Sequence, residues 1–265
     1  MGEIRYLGCS DATTRWVERH RAWIVPLVFV LLILAGQTRG QQKLGPRMGQ
    51  PSLNLRPVSL GSPPETLLNP EAREWASTSV QRISMNRTPP LYDTDPPAPN
   101  EIPSAEVRVV RTGGKTVILL SWHDSTNDSA ELPPAPATPP EQRNRKEQSA
   151  ATDRFFDAAA VMVPMQTMSR DLSPSLQMGD VHSPVKIYYW NAARGPMLME
   201  AQGRSTTRRT GQGFPAKGIY RAGMWAVSFE LPELQTGTPL AFAIWNGSQK
   251  DRDGRKYFSV WHWLE

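Results

Sequence analysis

Cysteine and histidine, the residues that most often hold metals, are scarce in this 265-residue chain. The single cysteine, Cys9, precedes the only strongly apolar run, residues 22–36, so the chain after that run has no thiol for a disulfide, a zinc site or an iron–sulfur cluster. The histidines beyond it, His123, His182 and His262, lack the HxxxH, HxH and HExxH spacings of paired metal ligands. A G-x-S-x-G elbow, a Gly-rich phosphate loop and a CxxCH haem attachment motif are also missing. Catalysis by this chain alone therefore has little support.

A continuous basic surface is missing too, although the chain carries a formal charge of +5 and has a pI near 9.5. Acidic residues alternate with basic ones almost everywhere, and no Lys/Arg stripe or nucleic-acid-binding motif is present. The charge does not predict a nucleic-acid partner.

The apolar run, AWIVPLVFVLLILAG, follows Arg15, Arg19 and Arg21 and is shorter than the roughly 20 residues of a membrane-spanning helix. Its length is typical of a secretory signal, and the preceding arginines predict that the rest of the chain is exported. We interpret residues 1–36 as a signal peptide cleaved after Ala35, with a retained membrane anchor as the alternative.

Proline is abundant, with 25 residues in the chain, and it separates two regions without strand or helix periodicity. Residues 37–100 are predicted to be an extended connector, in which the segments PEAREW (70–75) and SVQRISM (79–85) dock onto a folded domain. Residues 132–148 are predicted to be a Pro-rich surface insert of that domain.

Residues 101–265 have the pattern of short strands. EVRVVRT and TVILLSW flank a Gly-Gly turn and predict a β-hairpin, and in MWAVSFEL the residues Trp225, Val227 and Phe229 alternate with more polar ones. DRFFDAAAVMVPM (153–165) also favours a strand over a helix. Further strands are predicted in VKIYYWNA (185–192), PLAFAIWNG (239–247) and RKYFSVWHWL (255–264). The fold class is therefore all-β, an immunoglobulin-like sandwich of two sheets.

Several of these stretches also carry a family resemblance. DRFFDAAAVMVPM, SLQMGD, PVKIYYWNA, GMWAVSFELP and, above all, LAFAIWNGSQKDRDGRKYFSVWHWLE resemble the haem b (gamma) subunit of the type II dimethyl sulfoxide reductase family, an ethylbenzene-dehydrogenase-like haem domain. EVRVVRTGGKTVILLSWHDSTND is similar to that family's opening hairpin with its W-x-D-x-T-x-D pattern. The resemblance covers residues 70–265, apart from the Pro-rich insert.

The resemblance implies one non-covalent haem b with a methionine and a lysine as axial iron ligands. The methionine of the M-G-D loop is Met178, and the lysine of the G-x-K segment that opens the last strand is Lys256, with Lys250 in reserve. Met162, Met165 and Met168 are nearby rivals for the methionine. Trp245 belongs to the aromatic setting of the pocket. Candidates for a haem propionate or a partner surface are Arg204, Arg208 and Arg209, although a solvated loop is the simpler interpretation. Without the resemblance, His182 or His262 would be the first choice of ligand, because imidazole is the commoner one.

Two axial ligands leave no open iron position for a substrate, so the implied function is electron transfer. The implied partners are a catalytic subunit with a molybdenum bis-guanine-dinucleotide cofactor and an iron–sulfur subunit, with a soluble cytochrome or a membrane carrier beyond them. Such a complex would lie in the periplasm or on the outer face of the cytoplasmic membrane. Two other classes stay open at this point: a haem-free module that binds a sugar or another small ligand, and a structural subunit that only docks an oxidoreductase.

Overall fold

Fifteen strands, one short helix and one 3-10 helix form the part of the chain that the computed structural model describes, residues 53–89, 100–129, 155–167, 173–211 and 213–265. These residues belong to one unit, Gln50–Glu265. The apolar run, Cys9, the Pro-rich insert and Met168 lie outside the described residues. In the described ranges, no helix is both long and apolar enough to cross a bilayer.

The strands are β1 Asn54–Leu55, β2 Val58–Ser59, β3 Gln81–Ser84, β4 Asn86–Arg87, β5 Ser104–Thr112, β6 Lys115–His123, β7 Ala158–Pro164, β8 Val185–Asn191, β9 Gly195–Ala201, β10 Arg208–Arg209, β11 Ala216–Arg221, β12 Met224–Pro232, β13 Pro239–Trp245, β14 Tyr257–Phe258 and β15 His262–Leu264. Helix α1 is Pro64–Leu67, and the 3-10 helix is Arg73–Ser77.

The strands form two sheets. The nine-stranded sheet has the order β1-β15-β13-β7-β8-β9-β10, with β14 paired to β13 and β4 paired to β14. The six-stranded sheet has the order β11-β12-β6-β5-β2, with β3 paired to β5. The prediction of an all-β, two-sheet fold is confirmed. The strand number exceeds the seven of an immunoglobulin constant domain, so the immunoglobulin-like detail fits only the packing of two sheets.

The predicted hairpin is formed by β5 and β6. Its turn residues, Gly113 and Gly114, have φ angles of 54° and 70°, and Thr112 pairs with Lys115 across the turn. Two consecutive residues with positive φ are the requirement of the two-residue hairpin turn whose twist matches the strands. Glycine meets that requirement without steric cost.

The main core lies between the two sheets. Trp225, Val227 and Phe229 of β12 are buried there, as their alternation predicts. Ser228, on the other face of the strand, is also fully buried and donates a hydrogen bond of 2.7 Å to the Leu67 carbonyl oxygen. The outer face of the six-stranded sheet is therefore covered by the segment around α1.

The extended connector predicted for residues 37–100 is corrected over residues 53–89. This segment adds β1 and β4 to the larger sheet and β2 and β3 to the smaller one. The two segments expected to dock do so, and they bury Trp75 and Ile83. Because these strands have only two to four residues, none shows a periodic pattern, and each depends on pairing with a distant strand. The sandwich therefore includes this segment and does not begin at residue 101.

Candidate functional site

A cavity of about 740 Å³ lies on the face of the nine-stranded sheet that points away from the other sheet. In β7, Ala160 and Met162 line this cavity, whereas Ala159 and Val161 belong to the core between the sheets. The same alternation holds in β8, where Ile187 and Tyr189 face the cavity. The volume is in the range of pockets that take cofactor-sized ligands.

Apolar and thioether side chains form most of the cavity wall. Such a wall favours a ligand with a large hydrophobic surface. The wall residues of this kind are Phe155, Phe156, Ala160, Met162, Leu176, Met178, Ile187, Tyr189, Met197, Met199, Ala241, Phe242, Ala243, Trp245 and Phe258.

Met178 lies in a tight loop at one side of the cavity. Its φ is 68°, Gly179 follows with a φ of 73°, and the Gly179 amide donates a 2.8 Å hydrogen bond to the Ser175 carbonyl oxygen. A Cβ atom on Gly179 would lie 2.5 Å from the Ser183 carbonyl oxygen, so this position requires glycine. The carboxylate of Asp180 closes the loop by accepting hydrogen bonds from the amides of residues 182 and 183. The loop thus places Met178 on the cavity wall.

The loop that precedes β10 holds Met178 a second time. The Gly203 amide donates to the Met178 carbonyl oxygen at 2.9 Å, and the Thr207 hydroxyl donates to the Met178 sulfur at 3.2 Å. Of the rival methionines, Met162 lines the cavity, Met165 is 44% exposed and does not, and Met168 lies outside the described residues.

Lys256 lies on the cavity wall just before β14. Its backbone is fixed by Thr88: the Lys256 amide donates to the Thr88 hydroxyl, and the Lys256 carbonyl accepts from the Thr88 amide, both at 3.0 Å. The Lys256 ammonium is 5.2 Å from the centroid of the Trp245 ring. Burial lowers the pKa of this lysine, and the nearby Asp253 carboxylate opposes part of that change. Lys250, the reserve candidate, is exposed and does not line the cavity.

The loop between Trp245 and Lys256 is anchored from inside the protein. Asp251 is buried and forms a two-pronged ion pair with Arg87, with both oxygen–nitrogen distances at 2.5 Å. The Asp251 carboxylate also accepts from the Asn246 amide at 3.1 Å, and the Trp245 indole donates to the Asp253 carbonyl oxygen at 3.2 Å. These contacts fix both Trp245 and the approach to Lys256.

Arg204 lines the cavity together with three further arginines, and all four are exposed at its edge: Arg194, Arg204, Arg209 and Arg252. Arg208, between two of them in sequence, instead pairs with Glu200 at 3.1 Å. The acidic residues of the wall are Asp251, already paired with Arg87, and Asp253. The cavity edge therefore carries an excess of positive charge that suits an anionic group of a ligand.

Asp157 is a buried residue that the sequence does not mark as part of the site. One of its carboxylate oxygens accepts from the Gly247 amide at 2.9 Å, and the other accepts from the Asp128 amide and the Trp225 indole at 2.7 and 2.9 Å. Burial raises the pKa of Asp157 to about 6, although these hydrogen bonds act against the rise. Asp157 thus joins the W-x-D-x-T-x-D loop to the start of the Trp245–Lys256 loop. The only sequence signal for this residue is its place in the family-like stretch DRFFDAAAVMVPM.

The histidines lie elsewhere. His123 and His182 are exposed, His262 is buried, and none of the three lines the cavity. Over the described part of the chain, no group of three or more His, Cys, Asp or Glu residues is placed to hold a metal ion. The histidine alternative therefore gains no support from the structure.

Comparison with known proteins gives the family. The chain is 31% identical over 205 residues to a provisionally named respiratory nitrate reductase heme subunit of Haloferax mediterranei, over 73% of this chain and 66% of that protein. It is 28% identical over 218 residues to the dimethylsulfide dehydrogenase subunit gamma of Rhodovulum sulfidophilum, over 74% of this chain and 73% of that protein. The chain belongs to the haem (gamma) subunits of the type II dimethyl sulfoxide reductase family.

A third gamma subunit agrees with this family assignment. The chlorate reductase subunit gamma of Ideonella dechloratans is 25% identical over 170 residues, 59% of this chain and 62% of that protein. The chain spans just under two thirds of the length of the nitrate reductase heme subunit. By family, this gamma-type chain is a non-catalytic subunit, as predicted.

Two other comparisons add little. No family model matches the chain. Two solved structures of a family 9 carbohydrate-binding module from Caldicellulosiruptor kristjanssonii, with cellotriose and with glucose, have TM-scores of 0.36 and 0.35 and identities of 11% and 13%. Each covers 78% of this chain, and 83% and 84% of the respective module, and neither carries an argument about the site of this gamma-type subunit.

Proposed function

We propose that the chain binds one non-covalent haem b in the cavity on the nine-stranded sheet, with Met178 and Lys256 as axial ligands, and acts as an electron-transfer subunit. The observation that carries this proposal is that Met178 and Lys256, far apart in sequence, line one cavity. Trp245 and Arg204 line the same cavity. Lys256 is the only lysine among the cavity-lining residues of the described chain.

The chemistry of these donors fits the group. A thioether is a soft, neutral ligand that favours reduced iron. A lysine must lose its proton to bind a metal, and burial of Lys256 favours the neutral amine. When bound, the haem supplies one-electron redox chemistry, while the protein residues hold it, exclude water from its faces and set its potential.

The arginines at the cavity edge supply the complement to the apolar wall. A haem has two carboxylate groups, which require contact with water or with cations. The side chains of Arg204 and Arg209 form no hydrogen bond or ion pair with other described residues and are available to meet such groups. We assign Arg204 to a propionate on this basis.

The family implies the partners, and the single cysteine leaves this chain itself without ligands for an iron–sulfur cluster. We propose that it takes electrons from, or delivers them to, the iron–sulfur subunit of a periplasmic molybdoenzyme whose catalytic subunit carries a molybdenum bis-guanine-dinucleotide cofactor. The external partner is a soluble cytochrome or a membrane carrier. The segment 1–36 would export the chain, as a cleaved signal or as an anchor.

The test is a visible absorption spectrum of the full-length chain produced with haem, first oxidised and then reduced with dithionite. We expect a low-spin b-type spectrum that becomes high-spin in Met178→Ala and in Lys256→Ala. Met162→Ala and Lys250→Ala are the matched controls, because Met162 shares the cavity and Lys250 shares the loop. These two variants should keep the low-spin spectrum.

A folded but colourless chain would contradict haem binding. A low-spin spectrum that survives in Met178→Ala and disappears in Met162→Ala would contradict the assignment of the ligand. The first result tests whether the chain binds haem, and the second tests which methionine binds the iron.

A further inference from the structure

We propose that Thr207 is a positioning residue whose hydroxyl group raises the reduction potential of the haem by hydrogen bonding to the ligand sulfur of Met178. The inference deepens the proposed function and rests on it, since it takes Met178 as an iron ligand. The observation is the 3.2 Å contact between the Thr207 hydroxyl oxygen and the Met178 sulfur.

The loop around Thr207 is built to keep this contact. Thr206 closes the loop on itself, since its hydroxyl donates to the Gly203 carbonyl oxygen at 2.7 Å and accepts from the Gln202 amide at 2.9 Å. The Gly203 amide in turn binds the Met178 carbonyl oxygen at 2.9 Å. The backbone and the sulfur of Met178 are therefore both held by one short segment, and Thr207 has no other hydrogen-bond partner among the described residues.

The direction of the effect follows from the chemistry of sulfur. A thioether sulfur has two lone pairs, so it is able to accept a hydrogen bond with one and donate to a metal with the other. A hydrogen bond withdraws electron density from the sulfur and weakens its donation. Oxidised iron depends on that donation more than reduced iron does, so the hydroxyl favours the reduced state. Groups that bind a metal ligand in this way commonly tune the metal.

The experiment compares the reduction potential of the haem in four full-length chains: wild type, Thr207→Val, Thr207→Ser and Thr206→Val. Valine has the shape of threonine but no hydroxyl, whereas serine keeps the hydroxyl. Thr206→Val is the control for loop structure, because Thr206 holds the loop and does not contact the sulfur. Spectroelectrochemical titration gives the potential, and circular dichroism verifies the fold, which the exposed position of Thr207 should preserve.

We expect Thr207→Val to lower the potential so that the ratio of oxidised to reduced haem at a fixed potential rises about threefold, or about 28 mV for a one-electron couple. Thr207→Ser should stay close to wild type. Thr206→Val keeps the Thr207 hydroxyl but loosens the loop, so it should shift the potential clearly less than Thr207→Val does. This pattern would support the inference, because a change in loop structure alone would affect Thr206→Val at least as strongly.

Two results would overturn it while leaving the proposed function intact. One is a low-spin Thr207→Val haem with the wild-type potential. The other is an equal shift in Thr207→Val and Thr206→Val, which would assign the effect to loop position. A wild-type chain that takes up no haem would instead contradict the proposed function itself, and this inference with it.

Discussion

At the scale of single residues, His262 is the clearest source of pH dependence in the stability of the fold. Its side chain is 1% exposed, its Nδ1 atom accepts from the Leu53 amide at 3.1 Å, and its Nε2 atom is buried without a partner among the described residues. Burial lowers the pKa of His262 to about 4, because the imidazolium has no water around it. His262 is therefore neutral in the folded chain at pH values where the unfolded chain already binds a proton.

His262→Asn should remove this pH dependence. Above the unfolded pKa of about 6.5 the histidine costs nothing, and as the pH falls from there towards about 4 the wild type should lose about 3 kcal/mol of stability that the variant keeps. An asparagine oxygen is able to replace Nδ1 as the acceptor for Leu53. The measurement is urea unfolding of both chains at a series of pH values.

The comparison between the two chains is essential, because Asp157 acts in the opposite direction. Its folded pKa of about 6 lies above the usual value, so protonation of Asp157 stabilises the fold as the pH falls over the same range. Parallel pH curves for wild type and His262→Asn would contradict the assignment to His262.

Residue types and a family pattern were sufficient to select Met178, Lys256, Trp245 and Arg204, and the structure brings all four to one cavity. The residues that hold them were not predictable in this way. Thr207, Thr88 and Asp157 act through contacts between segments that are distant in sequence, and a lone Thr or Asp carries no signal of its partner.

At the scale of elements, β4 supports the lysine side of the cavity. It pairs with β14, and Arg87 at its end forms the buried ion pair with Asp251. The same carboxylate lies 3.5 Å from Arg255, whose side chain is 51% exposed. The Asp251 carboxylate thus has one buried and one exposed partner, and the two ion pairs should differ in how much they stabilise the fold.

Arg87→Met should lower the free energy of unfolding by about 3–5 kcal/mol, because it leaves the Asp251 carboxylate buried without its main partner. Arg255→Met is the matched control and should cost less than about 1 kcal/mol, since solvent screens its interaction with Asp251. Chemical denaturation of both variants checks the difference. Equal losses would show that Asp251 does not depend on Arg87.

How well the sequence predicts each strand depends on the length of the strand and on the residue types in it. β5, β6, β7, β8, β12 and β13 were predicted because each has at least seven residues and an apolar or alternating pattern. β9 was missed because PMLMEA is rich in residues that favour helices, and its strand form depends on pairing with β8. β11 was missed because Gly218 weakens its strand pattern. Packing nevertheless requires this glycine, because a Cβ atom there would lie 2.2 Å from the Trp190 ring.

At the scale of the whole molecule, the segment before β5 completes the sandwich. Its residues 53–89 contribute five large apolar side chains that are fully or almost fully buried: Leu55, Leu67, Trp75, Ile83 and Met85. Burial of one such side chain is worth about 1.5–3 kcal/mol, and the total stability of a domain is about 5–15 kcal/mol. Loss of all five is therefore comparable to the whole stability.

A chain that begins at Gln50 should fold and melt cooperatively, whereas a chain that begins at Glu101 should not. Far-ultraviolet circular dichroism and thermal unfolding distinguish the two. A cooperative transition in the shorter chain would show that residues 101–265 are a domain in their own right, as the sequence alone predicts.

The position of the cavity separates folding of the chain from binding of the haem. The hydrophobic core lies between the sheets, whereas the cavity lies on the outer face of one of them. Formation of this core therefore does not require the haem, which would bind to the outer face of a sheet that has already folded. On the proposed function, the chain would suit late loading, because it would fold first and take up the haem afterwards into a cavity that already exists.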